Sequence, residues 1–366
     1  MSSSQQARSE VGRDGRGPRE RRMVPPAEPR SYYGRPVIKE PVWTPEIPAY
    51  FYTGGLAGAS AGLALLSELR GEQHLARRMW CVALAGSAVS PALLISDLGV
   101  PRRFLNMLRM FKVTSPMSVG SWILAGFGTA TAPAALHSLT GGRLGGVGRA
   151  AQVSSALLGL PLSSYTAALI ANTAVPVWHE ARTELPFLFC AGAAASAGAA
   201  GVALAGVDDA QSARRLAVGG AVAEVAVAQA MVRRLRDRGL GDAFEEGGVK
   251  QLDRAATALT VGGAALIAAR GARSRGTAVA GAALLTAGAI AERWTVFRAG
   301  SRSAARPEDT VAPQRGRIER GEAPGASRAQ PRRSPPAVGA DGQRPGERPV
   351  PPGSPAIAPQ RRAPLT

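Results

Sequence analysis

Side chains able to do chemistry are sparse in this sequence, and most of them sit within or at the edges of long apolar runs. Glu224 lies near the middle of one run, with Gln229 one and a half turns further on. An ionisable group at that depth is costly, so it either relays protons or pairs with a polar group of another helix. Tyr165 and Asn172 are seven residues apart in a second run. On a helix that is two turns and one face, so they either line a pocket together or hydrogen-bond neighbouring helices. Glu46, Tyr50, Tyr52 and Thr53 open a third run, the kind of polar and aromatic start that marks a water boundary. Asp97 closes a fourth run, where its carboxylate can pass a proton or pair with Arg102 or Arg103 across the Gly99–Pro101 turn.

The chemistry that is missing narrows the field further. Cys81 and Cys190 are the 2 cysteines, each alone in an apolar run, which excludes a four-thiolate iron–sulfur cluster in this chain and predicts two buried apolar thiols. The 3 histidines, His74, His137 and His179, cannot supply the four axial ligands of two haems. His74 and His137 belong to loops on one side and His179 to the other side, so no pair is expected to hold a single haem. No metal site is expected.

These side chains must be positioned by helices in a membrane. The 366 residues carry a net charge of +18, yet mean hydropathy is near zero because the charge is concentrated in the two tails. Between them the chain is dominated by Ala, Gly, Leu and Val, and its 44 glycines suit close helix packing in lipid. A span needs about 20 mostly apolar residues. Eight candidates follow: Ile47–Ser67, Met79–Ser96, Met117–Leu139, Ala150–Val175, Leu185–Val207, Leu216–Val232, Ala255–Ala269 and Thr277–Ala291. The last two are short; snorkelling of Arg254, Arg270 and Arg293 would extend them, or one is partly interfacial. No strand-like alternation supports a barrel, so the fold class is all-α, a polytopic membrane protein. The first candidate contains GGLAGASAG, Gly54–Gly62, with small residues at spacing four that predict tight packing against a neighbour.

Residues 1–44 and 299–366 are rich in Arg and Pro and are expected to be disordered tails flanking a membrane domain at 45–298. Neither a secretory nor a twin-arginine signal is expected, because no apolar run follows Arg21-Arg22. No nucleic-acid role is expected either, because no aromatic residues interleave the arginines.

The stretch DLGVPRRFLNMLRMFKVTSPMSVGSW, Asp97–Trp122, lies between two apolar runs. Arg102, Arg103, Arg109 and Lys112 alternate there with Phe104, Leu105, Met107, Leu108, Met110 and Phe111, which predicts a short amphipathic helix at the membrane surface. This stretch closely resembles the signature of the NrfD family, the polysulfide-reductase-type membrane subunits of molybdenum or tungsten oxidoreductases. TAVPVWHEARTELP, Thr173–Pro186, and FRAGSRSAARPED, Phe297–Asp309, resemble two further segments of that family, in the same order.

The resemblance implies two four-helix bundles and a chain that anchors a ferredoxin-like iron–sulfur subunit, and through it a molybdopterin catalytic subunit. It also implies a quinone, menaquinone, reacting in a pocket beneath the iron–sulfur subunit. Tyr165 falls where the family has a pocket tyrosine, and Glu46 and Tyr50 fall where some members have Asn and His. Asn172 shares the predicted face of Tyr165. Without His at position 50, proton delivery passes to Glu46 or Asp97. Arg102, Arg103, His179, Glu180 and Arg182 lie in the second and fourth loops, on one membrane side, and form the expected docking surface. A secondary transporter and a purely structural anchor are the alternative readings.

With eight spans both tails share a side with loops two, four and six, and basic residues near the spans are more numerous there than opposite. The positive-inside rule therefore predicts cytoplasmic tails in the cell membrane, with the partner subunits on the cytoplasmic side. A reporter active only outside the cytoplasm, fused after Thr44 or inserted at Gly241, should stay silent; activity at both positions would invert the topology.

Overall fold

In lipid every backbone N–H and C=O must be paired within the chain, and the Ala-, Gly- and Leu-rich runs meet that demand as helices. The computed structural model describes residues 36–98, 100–245, 247–319 and 321. Long helices occupy all eight predicted positions: α1 (Glu46–Leu69), α2 (Gln73–Asp97), α3 (Pro116–Leu139), α4 (Gly145–Ala171), α6 (Leu185–Leu204), α7 (Gln211–Asp237), α9 (Gly247–Arg270) and α10 (Arg275–Ala305). Short helices α5 (Pro176–Glu180), α8 (Asp242–Glu245) and α11 (Pro307–Glu319) complete the order. No strand occurs among the described residues. The protein is an all-α, multi-pass membrane protein.

Local chemistry sets the helix starts. Ser115 accepts from the backbone N–H of Ser118 at 3.4 Å, and Pro116 follows at the first helical position, where its missing N–H costs nothing. Ser274 caps α10 in the same way through Thr277. Gly71, at φ +77°, makes the left-handed turn that separates α1 from α2.

Helices α1 to α4 form one group, α1 packing on α2 and α4 while α3 packs on both of those. Helices α6, α7, α9 and α10 form the second group, and α1 and α4 meet α6 at the seam between them. Six helices, α2, α3, α4, α6, α7 and α9, are long and apolar enough to cross a membrane. The two that fall short are α1, diluted by Tyr, Gly and Ser, and α10, which carries Glu292 and Arg293. Both lie against the seam, where a helix faces other helices more than lipid and tolerates polar residues.

One expected element keeps its place, and the fold departs from the sequence expectations in three others. The Asp97–Trp122 loop holds the expected short helix as a 3-10 helix, Pro101–Leu108; Leu105 is exposed on it, and Met110 and Phe111 are exposed just after it. Helix α10 runs 14 residues past Ala291, and Arg293 does not snorkel: it is 2% exposed. Helical structure also continues beyond 298, through the rest of α10 and into α11. Cys81 and Cys190 are exposed on the outward faces of α2 and α6, because an apolar helix offers apolar surroundings on its lipid side as well as inside. Residues 1–35, 320 and 322–366 of the predicted tails, with Gly99 and Glu246, lie outside the described residues.

The tightest crossing in the first group joins α1 and α4. A Cβ on Gly159 would lie 2.5 Å from the carbonyl oxygen of Gly58, so neither position has room for a side chain. Gly62, in the same motif, has nothing within 4 Å of such a Cβ. Gly159→Leu should therefore destabilise the protein by on the order of 1–3 kcal/mol through overpacking, while Gly62→Leu leaves the midpoint of thermal unfolding in detergent unchanged or raised. Equal midpoints for the two variants would show that this crossing does not constrain the bundle.

Candidate functional site

The crossing at Gly58 and Gly159 brings two tyrosines together nearer the start of α1. Tyr50, fully buried, shares a hydroxyl–hydroxyl hydrogen bond with Tyr165 of α4. Their rings meet edge to face, with centroids 6.4 Å apart. Gly120 of α3 lies flat against the Tyr165 ring and has no room for a Cβ, so three helices fix this phenol. Thr53 and Ser90 exchange a hydroxyl contact at 3.1 Å nearby, linking α1 to α2.

The remaining predicted residues divide by location. Asp97 ends α2, and its Oδ1 accepts from the Thr44 hydroxyl and from the Thr44 backbone N–H at 3.3 Å. This carboxylate therefore ties the entry of α1 to the end of α2, and the expected ion pair with Arg102 or Arg103 does not form; both arginines are exposed. Glu46 is half-buried at the first position of α1. Asn172 caps α4: it is exposed, its amide donates to the Ala168 carbonyl at 2.8 Å, and it does not join the tyrosine pair. Two turns of α4 separate Asn172 from Tyr165, and a cap residue is claimed by its own last turn.

Loop four behaves differently from a plain surface. His179 and Arg182 are exposed, whereas Glu180 is buried and paired with Arg238 at 3.0 Å. Glu184 pairs with Arg234 at 2.5 Å, so two carboxylates of loop four clamp the end of α7. Trp178 is fully buried, stacks on Trp43 at 5.4 Å, donates to the Val296 carbonyl at 2.8 Å and sits against Gly300. The start of α1, the ends of α2, α4 and α7, and the last turns of α10 are thus at one end. Of the expected docking residues, Arg102, Arg103, His179 and Arg182 are available there and Glu180 is not.

A second cluster was only half visible in the sequence. Glu224 of α7 is 2% exposed and faces Gly192 of α6, where only a glycine leaves room for its carboxyl and for the Arg293 guanidinium. Arg293 is ion-paired with Glu292, donates to the Phe189 carbonyl at 3.0 Å and lies over the Phe189 ring at 4.1 Å. Both oxygens of Glu224, one of Glu292 and Nε of Arg293 are buried without a hydrogen-bond partner among the described residues. Phe189 in turn packs on Phe51, 5.7 Å away, which neighbours Tyr50. The signal for Glu292 and Arg293 was their position directly after an apolar run, which read as its boundary. Among the described residues no group of three or more His, Cys, Asp or Glu side chains is placed to hold a metal.

Asp97 can be separated into acid and tie by substitution. Asp97→Asn keeps an Oδ1 acceptor for Thr44 and should fold normally, while Asp97→Ala should lose about 1 kcal/mol of stability. If both variants unfold at the wild-type midpoint, the tie to Thr44 contributes nothing.

Comparison with known proteins agrees with this architecture. A search of curated proteins returned no match. The family model described as polysulfide reductase, of NrfD type, matches residues 30–305, a range that takes in every long helix from α1 to α10. This chain therefore belongs to the NrfD-type polysulfide reductase family.

Proposed function

We propose that this chain is the membrane subunit of a molybdopterin and iron–sulfur oxidoreductase, anchoring the complex and exchanging electrons with membrane quinone, in particular menaquinone, beside Tyr50 and Tyr165. The observation that carries the reading is the buried phenol pair, set in an apolar bundle of a chain of this family. A quinone head group needs apolar walls and donors to its two carbonyl oxygens. Within a pair of hydroxyls, one O–H donates to the other oxygen and leaves the second proton free for an acceptor. Reduction consumes two electrons and two protons. The electrons arrive from an iron–sulfur subunit docked at the end bearing Arg102, Arg103, His179 and Arg182, and the half-buried carboxyls of Glu46 and Asp97 stand at that same end to pass protons.

Glu224 belongs to the proposal as a proton relay of the second bundle. Its carboxyl is buried beside Glu292 and Arg293 with no neutralising hydrogen bond of its own, and Arg293 contacts the aromatic chain Phe189–Phe51 that leads to Tyr50. Both tails and the docking end are cytoplasmic in this reading, and α1 and α10 are spans alongside the six more apolar helices.

Tyr165→Phe keeps the ring against Gly120 and removes one hydroxyl, so the complex should assemble and its quinone turnover should fall on the order of tenfold, the equivalent of one lost hydrogen bond. Asn172→Ala should turn over at the normal rate. A normal rate in Tyr165→Phe would remove the phenol pair from the quinone site.

A further inference from the structure

At the end of the first bundle remote from the tyrosine pair, the end of α1, the start of α2, the end of α3 and the start of α4 surround a cavity of about 600 Å³. Its charged lining is two arginines and one carboxylate. Arg77 comes from α2 and Arg149 from α4, and neither forms an ion pair among the described residues. His137 of α3 also lines it; the residue is 7% exposed, its ring is seated against Gly148 where no side chain fits, and its Nδ1 is buried without a hydrogen-bond partner. The single carboxylate, Glu68, is already engaged, its Oε1 accepting from Trp80 Nε1 at 2.9 Å and from Gln152 Nε2 at 2.7 Å. Two guanidinium groups without an ion pair among the described residues, each a planar fork of donors, thus face a space with one acid whose Oε1 is already hydrogen-bonded, and that excess of positive charge selects a phosphate.

The rim of the cavity is apolar, which decides the source of the phosphate. Leu69 and Val153 line it and are 78% and 45% exposed. From Val153 the same face of α4 continues through Leu157 and Leu160, 61% and 65% exposed, at spacings of four and three residues. That track runs about 10 Å from the cavity toward the middle of the helix, along the direction of a lipid chain. A free anion would have no use for it. We propose that this cavity is a phospholipid site, with the headgroup phosphate held by Arg77, Arg149 and the His137 imidazole and an acyl chain lying along Val153, Leu157 and Leu160. The lipid joins the α1–α2 and α3–α4 turns at the membrane surface opposite the proposed docking end. This assignment does not depend on the quinone reading.

The test uses the full chain, purified and delipidated in detergent, with bound lipid counted by native mass spectrometry. Dioleoyl phosphatidylglycerol should add one tightly held copy; dioleoylglycerol, which lacks the phosphate, should not; and millimolar inorganic phosphate should not displace the phospholipid. Arg149→Ala should weaken retention about tenfold, the loss of a charge-assisted contact, with Arg149→Lys between the two and Leu157→Ser also weakened. Wild-type retention by Arg149→Ala, or equal retention of dioleoylglycerol by the unaltered protein, would overturn the site. Displacement by inorganic phosphate would reassign the cavity to a free anion and overturn the lipid. The dioleoylglycerol comparison needs no variant, so it decides the matter even if Arg149→Ala fails to fold.

Discussion

The backbone contact between Gly58 and Gly159 is the constraint on which the first bundle rests. Lipid tails are as apolar as the helices, so burial of apolar surface does not drive one helix onto another; close packing and interhelical hydrogen bonds must do so. With no Cβ on either side, α1 and α4 approach until carbonyl meets backbone, and Ser163 uses the same gap to donate to the Gly159 and Gly55 carbonyls. Every distance along the two antiparallel helices is then set from that point. Tyr50 and Tyr165 fall opposite one another, and Gly120 lets α3 close against the second ring.

Aromatic rings meet at the seam between the two bundles. Phe51 from α1 and Phe189 from α6 meet across the seam, and the guanidinium of Arg293 covers the far side of Phe189. Burying a guanidinium and two carboxyls in the second bundle costs several kcal/mol per charge unless they are paired, and here the pairing is incomplete: Arg293 pairs with one oxygen of Glu292, while the other and both oxygens of Glu224 have no hydrogen bond among the described residues. Arg293 lies beside Glu224 at Gly192 and over the Phe189 ring that meets Phe51.

The end that carries the loops is built differently from the middle. There the ties are specific and polar or aromatic: Thr44 to Asp97, Trp43 on Trp178, Trp178 to the Val296 carbonyl, and the two loop-four carboxylates on Arg234 and Arg238. These contacts order the loops into a platform while leaving Arg102, Arg103, His179 and Arg182 outward. Glu180, which by sequence sits in the same loop as His179 and Arg182, is instead an internal strut.

Helix positions, the membrane class and the family were all legible in the sequence, because each is written in local pattern: runs of apolar residues near the length of a bilayer, and loop segments whose Gly, Pro and Arg spacings are read without knowing what lies beside them. What local pattern could not decide was which face of each helix turns inward. A soluble amphipathic helix announces its inner face by its polar outer one, but a lipid-facing helix is apolar all round and carries no such mark. Only the tertiary structure therefore turned Cys81 and Cys190 outward, paired Tyr50 with Tyr165 while leaving Asn172 as a cap, drew Glu180 inside, and ran α10 on so that Glu292 and Arg293 meet Glu224. The site is decided by which small residues let which helices touch, and that is a property of pairs of helices rather than of any stretch of the chain.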